Sequence, residues 1–247
     1  MRFNSAFIPS FFLASVVLAV RRREHQSRFL DRVENANTHS DGNQYTSNWA
    51  GAVWIEMDGG LTHVTGTFTV PTPSGRSGDA ASAWVGIDGD SDICNGGLLQ
   101  TGVDFTVTDD GASYDAWYEW YPNYSYHFSN LDVSAGDVIR ASVTASSATS
   151  GTAVVENLTN GQSATQQIHS TYALCGLSAE WIVEDFEGGN NELVPFANFG
   201  EVTFEDAVAT GAGTYTPHGA ILVDIRQDNQ VLTSTWTNGS SLTVKYL

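Results

Sequence analysis

The segment YDAWYEWY, residues 114–121, is the clearest indication of fold class in this chain. Successive side chains of a β-strand point to opposite faces of a sheet. One face of this segment then holds apolar and aromatic side chains, those of Tyr114, Ala116, Tyr118 and Trp120. The other face mixes acids with aromatic rings, in Asp115, Trp117, Glu119 and Tyr121. The alternation predicts a strand with one face in a core and a mixed face on the other side.

Three further segments alternate in the same way, at residues 82–88, 98–107 and 179–186. Their second faces again mix polar and aromatic residues: Trp84, Asp88, Gln100, Asp104, Glu180 and Glu184. Large aromatic rings beside acids are typical of a binding groove. We therefore expect these faces to line a groove across a concave sheet. The alternative is that the second face is also buried, with its carboxyl groups paired.

Short alternating runs continue through the rest of the chain, and no window of 11 or more residues shows a helical period. The runs include residues 64–70, 138–145 and 242–246, and Gly, Asp, Asn and Ser separate them. Many short strands at regular spacing predict an all-β sandwich or barrel. We find no internal repeat and expect one domain over residues 41–247.

Acidic residues dominate the chain, which has 28 Asp and Glu against 10 Lys and Arg and a formal net charge of −18. Six of the ten bases lie in the first 40 residues, so residues 41–247 hold four bases and a net charge of −21. Binding to nucleic acid needs clustered bases, and anionic membranes repel such a body. We expect neither as a partner of the domain. The composition suits a protein that works in acid, and equally an ordinary acidic secreted protein.

The first 40 residues differ from the rest. Residues 1–20 combine Arg2 with a largely apolar run at residues 6–20, which is typical of a secretory signal peptide and short for a membrane span. Residues 21–40 are polar and basic, as in a removable prosegment held by charge against an acidic body. The alternative for residues 1–20 is an uncleaved membrane anchor, and the alternative for residues 21–40 is a plain linker. We expect a secreted, monomeric protein with no membrane contact once the signal peptide is removed.

Metal and nucleophile chemistry find little support in the sequence. Asp88-Gly-Asp90-Ser-Asp92 begins like a calcium loop, but Ile93 and Leu99 occupy the positions that need Gly and Glu. The six His residues show no zinc-ligand spacing, and no GxSxG motif is present. We expect neither a metal nor another cofactor.

Two chemistries fit the mixed faces. Glu119 and Glu184 can form the carboxyl pair of a glycoside hydrolase, and a groove of aromatic rings also suits a carbohydrate-binding module. Glu184 with Gln100 can instead hydrolyse a peptide bond, because a carboxylate removes a proton from water and an amide N–H stabilises the oxyanion. The two cysteines, Cys94 and Cys175, can form one disulfide in a secreted chain. Because they precede Gln100 and Glu184 by a few residues, that bridge would hold both strands in place, which favours the carboxylate–amide pair.

Seven motifs in a fixed order carry a resemblance to a known family. They are SNWAGA (47–52), AWVGIDG (83–89), LLQTGVD (98–104), YDAWYEWYP (114–122), ENLTNGQ (156–162), AEWIVEDFE (179–187) and VPFANF (194–199). From about residue 45 to its end, the chain resembles the glutamic peptidases, or eqolisins, which are pepstatin-insensitive acid proteases. The resemblance implies a lectin-like (concanavalin A-like) sandwich of two large antiparallel sheets.

The resemblance also implies site residues. Gln100 in LLQTG matches the family's catalytic Gln, and Glu184 in IVED matches its catalytic Glu. Six further residues match positions that line the family's cleft and are expected to bind protein or peptide substrates: Trp49, Trp84, Asp88, Asp104, Asp115 and Glu119. Trp117 is expected to bind substrate with them as part of the groove wall. The tryptophans can equally belong to the core. The Cys94–Cys175 pair beside the dyad is similar to one in the family. The implied activity is acid endopeptidase activity with an activated water and no covalent intermediate.

Overall fold

The computed structural model describes residues 42–90, 93–189 and 192–247. The predicted signal peptide at residues 1–20 and prosegment at residues 21–40 lie outside these ranges. No helix among the described residues is long and apolar enough to cross a membrane. The described ranges form seventeen β-strands: β1 (Gln44–Thr46), β2 (Trp49–Ile55), β3 (His63–Thr69), β4 (Ala80–Ile87), β5 (Leu98–Thr108), β6 (Gly111–Tyr121), β7 (Tyr126–His127), β8 (Val138–Ser147), β9 (Ser150–Asn157), β10 (Gln162–His169), β11 (Ser178–Glu184), β12 (Glu201–Thr210), β13 (Thr214–Tyr215), β14 (Ile221–Gln227), β15 (Gln230–Val231), β16 (Thr233–Asn238) and β17 (Ser241–Tyr246).

Two large sheets share these strands. The first sheet has nine strands in the order β1-β14-β2-β11-β4-β5-β6-β7, with β15 paired to β14. The second has eight strands in the order β10-β9-β8-β3-β12-β17-β16, with β13 paired to β12. Strands β1 and β14 run parallel, whereas β2, β11, β4, β5 and β6 pair antiparallel in succession. The predicted sandwich of two large antiparallel sheets is confirmed.

The core lies between the sheets and takes one face of each central strand. Val103 and Trp181, which the alternation assigns to apolar faces, pack there with Phe68 and Phe204 from the second sheet. Full burial of a side chain such as Phe stabilises the fold by roughly 1.5–3 kcal/mol. Trp181 also donates its indole N–H to the carbonyl oxygen of Thr65 across the sheets, at 2.8 Å. The sheets are therefore joined by apolar packing in which the polar atom of this large ring is satisfied.

The predicted disulfide between Cys94 and Cys175 is present, with Cα atoms 6.1 Å apart. Beside it, Asp88 directly follows β4 and adopts a φ of 68°. Its carboxylate accepts four backbone N–H groups, those of residues 175–178, at 2.8 to 3.2 Å. Burial raises the pKa of Asp88, and the four hydrogen bonds oppose that rise. Asp88 and the disulfide together tie the segment before β11 to the neighbouring strands, and so position the strand that ends in Glu184.

Two further buried carboxyl groups also have raised pKa values. Burial places the pKa of Glu180 well above its usual range, and the nearby Asp88 and Asp90 add to the effect. Burial raises the pKa of Asp185 from 3.8 to about 7, against a hydrogen bond from Gln227. Each of these groups binds its proton more tightly in the folded chain than in the unfolded one.

We expect these carboxyl groups to stabilise the fold in acid and to lose that contribution as pH rises. A raised folded-state pKa contributes fully below the unfolded value, and the contribution disappears as pH passes the folded value. For Asp185 the loss between about pH 4 and pH 7 is on the order of 4 kcal/mol. Glu180→Gln removes the contribution of Glu180 to this pH dependence. The melting temperature of the variant should therefore fall less between acid and neutral pH than that of the wild type. Glu201→Gln, at an exposed position, should follow the wild type, and a Glu180→Gln curve parallel to both would contradict the prediction.

Candidate active site

The face of the first sheet that points away from the core is itself buried at its centre. A second apolar cluster lies there, made of Trp49, Val53, Trp84, Leu98, Trp117, Ile182 and Val223. The three tryptophans are fully buried, and the Trp49 and Trp84 rings meet edge to face at 4.9 Å. This differs from the exposed aromatic rings expected of a groove, and agrees with the alternative in which these rings pack together. Substrate binding by Trp49, Trp84 and Trp117 stays a prediction.

Glu184 is the last residue of β11 and lies at the edge of this cluster. In register it stands beside Trp49 on β2 and Ser82 on β4. Its carboxylate is fully buried and accepts two hydrogen bonds from neutral donors. The side-chain amide of Asn48 donates to Oε1 at 3.0 Å, and the indole N–H of Trp84 donates to Oε2 at 2.8 Å. Because each carboxylate oxygen accepts a hydrogen bond, the orientation of the carboxylate is fixed.

Gln100 lies on β5, on the same face of the sheet. It stands opposite Gly86 on β4 and Glu119 on β6, and it is fully buried. Its amide nitrogen Nε2 donates to Oε2 of Glu119 at 3.1 Å, which fixes the orientation of the amide. A Cβ atom on Gly86 would lie 3.4 Å from the Cβ of Gln100, so the missing side chain leaves room beside it.

Strand β4 separates Gln100 from Glu184. Both β5 and β11 pair with it, but Glu184 is opposite Ser82 and Gln100 is opposite Gly86, four residues further along. The Trp84 indole spans this interval. Its Nε1 reaches Glu184, while its Cζ3 lies 2.9 Å from where a Cβ of Gly86 would be, on the side of Gln100. The Trp84 indole therefore donates to Glu184 with one end and lies with the other beside Gly86, the residue opposite Gln100.

Two of the four acids predicted to line the cleft, Asp104 and Asp115, fall on one transverse row with Glu184. The row crosses five strands and contains Trp49, Glu184, Ser82, Asp104 and Asp115. Asp104 is buried, whereas the side chain of Asp115 is 56% exposed and lies 3.6 Å from Nδ1 of His127. The carboxyl environment of this face thus changes from enclosed at Glu184 to open at Asp115.

Asp88 and Glu180 lie near the other end of β4. The carboxylate oxygens of Asp88 accept the four backbone N–H groups of residues 175–178, which indicates a structural role for this predicted substrate-binding residue. Glu180 is opposite Gly86 and is fully buried. Among the described residues, no group of three or more His, Cys, Asp or Glu side chains could hold a metal ion.

Several contacts in the candidate site are not singled out by the sequence motifs. Asn48 lies within the motif SNWAGA, yet only the fold brings its amide to Glu184. Ser82 accepts the Trp117 indole N–H at 3.2 Å and lies between Glu184 and Asp104. The position of Asn48 inside a recognised motif is a usable signal. Ser82 carries none beyond its place at the start of an alternating segment.

Comparison with known proteins places this arrangement in a family. The Peptidase A4 family matches residues 47–246. Aspergillopepsin-2 of Aspergillus niger is 51% identical over 227 residues, which cover 83% of this chain and 79% of that protein. Scytalidopepsin B of Scytalidium lignicola is 43% identical over 210 residues, which cover 81% of this chain and 78% of that protein.

Solved structures agree with these sequence matches. Scytalido-glutamic peptidase with a transition state analog inhibitor superposes with a TM-score of 0.75 at 42% identity, over 81% of this chain and 98% of that one. Aspergilloglutamic peptidase from Aspergillus niger superposes with a TM-score of 0.65 at 54% identity, over 68% of this chain and 99% of that one. Motifs, fold and relatives therefore agree, and the chain belongs to the peptidase A4 family, the glutamic peptidases.

Proposed function

We propose that this chain is a secreted acid endopeptidase in which Glu184 activates water and Gln100 stabilises the tetrahedral intermediate. The setting of Glu184 carries the proposal: it is a buried carboxylate that two neutral N–H groups hold in one orientation. Gln100 lies on the same face, with an amide that Glu119 orients. Membership of the peptidase A4 family supports the activity.

In this mechanism the ionised Glu184 takes a proton from water while the water oxygen bonds to the scissile carbonyl carbon. The carbonyl oxygen becomes an oxyanion, and the Gln100 side-chain N–H donates a hydrogen bond to it. Collapse of the intermediate breaks the C–N bond, and the proton on Glu184 moves to the leaving nitrogen. The products are a carboxylic acid and an amine, and Glu184 is ionised again.

The acids beside Glu184 have a separate part in the proposal. In acid, carboxyl groups such as Asp104 and Asp115 can be protonated and donate hydrogen bonds to the carbonyl groups of a bound peptide. Since they share a transverse row with Glu184, a peptide along this row would pass the base. Exclusion of water from the enclosed part of the sheet strengthens the hydrogen bonds that are made there.

The dyad is tested by replacing each member. Glu184→Gln removes the base and should lower kcat/KM on casein at acid pH by roughly 10²–10⁴-fold. Gln100→Ala removes the oxyanion donor and should lower it by about 10²–10³-fold. Circular dichroism and melting curves confirm that the variants are folded.

Glu180→Gln is the matched control, because Glu180 lies on the same strand and face as Glu184 but has no role in this mechanism. It should cleave casein at close to the wild-type rate at acid pH. Wild-type-like activity in Glu184→Gln would overturn the assignment of the base.

Inhibitors and substrates test the chemical class. The mechanism uses neither a pair of aspartic acids nor a metal, so pepstatin and EDTA should leave casein cleavage unchanged. Xylan and glucan should not be hydrolysed at low pH, since a glycoside hydrolase needs two carboxyl groups at its centre and this mechanism pairs a carboxyl with an amide. Inactivation by EDTA would point to a metal, and sugar release without proteolysis would point to a glycosidase.

Secretion is proposed from the composition of residues 1–40 and from the Cys94–Cys175 disulfide, since disulfides persist in oxidising compartments. A chain expressed in a fungal secretory host should therefore appear in the medium without its first 40 residues. Amino-terminal sequencing of the secreted, active protein measures this directly. An active protein that keeps residues 1–20 would contradict the signal peptide.

A further inference from the structure

Gln227, the last residue of β14, joins three segments that are distant in sequence. Its amide nitrogen Nε2 donates to the carbonyl oxygen of Ser47 at 2.9 Å and to Oδ2 of Asp185 at 2.7 Å. Ser47 belongs to the turn between β1 and β2, and Asp185 directly follows Glu184. Both hydrogens of one amide group therefore hold the turn and the end of β11 together.

The same turn carries the amide that holds Glu184. The backbone N–H of Asp185 donates to the carbonyl oxygen of Asn48 at 2.9 Å, and the side chain of Asn48 donates to Oε1 of Glu184 at 3.0 Å. The turn is braced further by Thr46, whose hydroxyl oxygen accepts the N–H of Trp49 at 2.8 Å. The position of Asn48 is thus set by contacts on both of its neighbours and on its own carbonyl group.

The Asp185 side chain depends on this junction. It is buried, Oδ2 accepts the Gln227 hydrogen bond, and Oδ1 is buried without a hydrogen-bond partner among the described residues. A buried carboxyl group with one neutral donor is poorly compensated when ionised. A second ionised carboxylate at position 227 would repel the ionised Asp185 and separate the turn from the end of β11. The amide of Gln227 instead donates a hydrogen bond to Asp185 and holds the two segments together.

We propose that Gln227 is a positioning residue for catalysis, which holds Asn48 in place through Ser47 and Asp185 so that Asn48 orients the Glu184 carboxylate. The inference rests on the proposed function, because it assigns Gln227 a task only if Glu184 is the base. Gln227 does not touch Glu184 and is not itself a catalytic residue.

The first test is Gln227→Ala. A small displacement of a catalytic group can cost up to about 100-fold in rate, so we expect kcat on a peptide substrate to fall roughly 10- to 100-fold with KM nearly unchanged. The rate is expressed per folded molecule, from melting curves under assay conditions. This corrects for any loss of stability.

Gln162→Ala is the matched control. Gln162 lies on β10 in the second sheet, is half-buried like Gln227, and also donates its amide to an aspartate, Oδ2 of Asp132 at 3.0 Å. Its removal breaks a Gln–Asp hydrogen bond on a strand of the other sheet. We expect kcat close to wild type, and an equal loss in both variants would overturn the proposal.

The second test is Gln227→Glu, which keeps the shape of the side chain and folds in acid, where the new carboxyl group is protonated. As pH rises, this carboxyl group ionises, and the resulting carboxylate is repelled by the Asp185 carboxyl group and by the carbonyl oxygen of Ser47. Two other charged residues flank this position in sequence: Arg226 faces the Tyr45 ring at 5.4 Å, and Asp228 is exposed. Asn48 contacts both Asp185 and Glu184. The ratio of variant to wild-type kcat should therefore fall as pH rises. Adding Asp185→Asn, whose amide can donate to the carboxylate introduced at position 227, should restore part of the ratio.

The outcomes separate this proposal from the proposed function. A wild-type protein without proteolysis, or an active Glu184→Gln variant, would remove the proposed function itself. A normal dyad result together with unchanged kcat per folded Gln227→Ala molecule would overturn only the role of Gln227. A kcat ratio of Gln227→Glu that is constant with pH would overturn it as well, since a purely structural role changes the melting temperature and leaves that ratio flat.

Discussion

Several buried carboxyl groups in this protein, Glu184 among them, are held by neutral hydrogen-bond donors, and the candidate site depends on this. Glu184 accepts an amide and an indole N–H, and Asp88 accepts four backbone N–H groups. Asp224 accepts hydrogen bonds from the side chains of Asn43, Thr233 and Thr235. Ten acidic residues are buried among the described residues, and the four Lys and Arg residues after residue 40 are too few to pair with all of them. A carboxyl group with neutral donors can gain or lose a proton without leaving a buried cation unpaired.

The central strands of the first sheet are buried on both faces, and this property serves the site. One face joins the core between the sheets, and the other carries the tryptophan cluster around Glu184 and Gln100. In such surroundings each hydrogen bond is stronger than in water, but an unpaired polar group is also more costly. The Trp84 indole meets both demands, because it fills space beside Gln100 and supplies the N–H that Glu184 needs.

Much of the fold can be predicted from alternation alone. Alternation assigns Val103 and Trp181 to the apolar faces, and both lie in the core. It shows which residues share a face, but it does not show whether another part of the chain covers that face. Alternation could therefore not reveal that the tryptophans expected in an open groove are buried. For the same reason alternation groups Asp88 with the cleft residues, although its partners come from a segment almost 90 residues further along the chain.

Local patterns and motifs are sufficient to predict the β-sandwich and the Cys94–Cys175 pair, and they nominate Gln100 and Glu184 as the candidate dyad, because these inferences depend on periodicity and on short recognisable segments within single strands. The partners of these residues follow only from the assembled fold. Asn48 reaches Glu184 across 136 positions of sequence, and Gln227 reaches Ser47 across 180. Such contacts depend on which strands become neighbours in the sheet, and strand order is set by packing of the whole domain, which no single segment encodes.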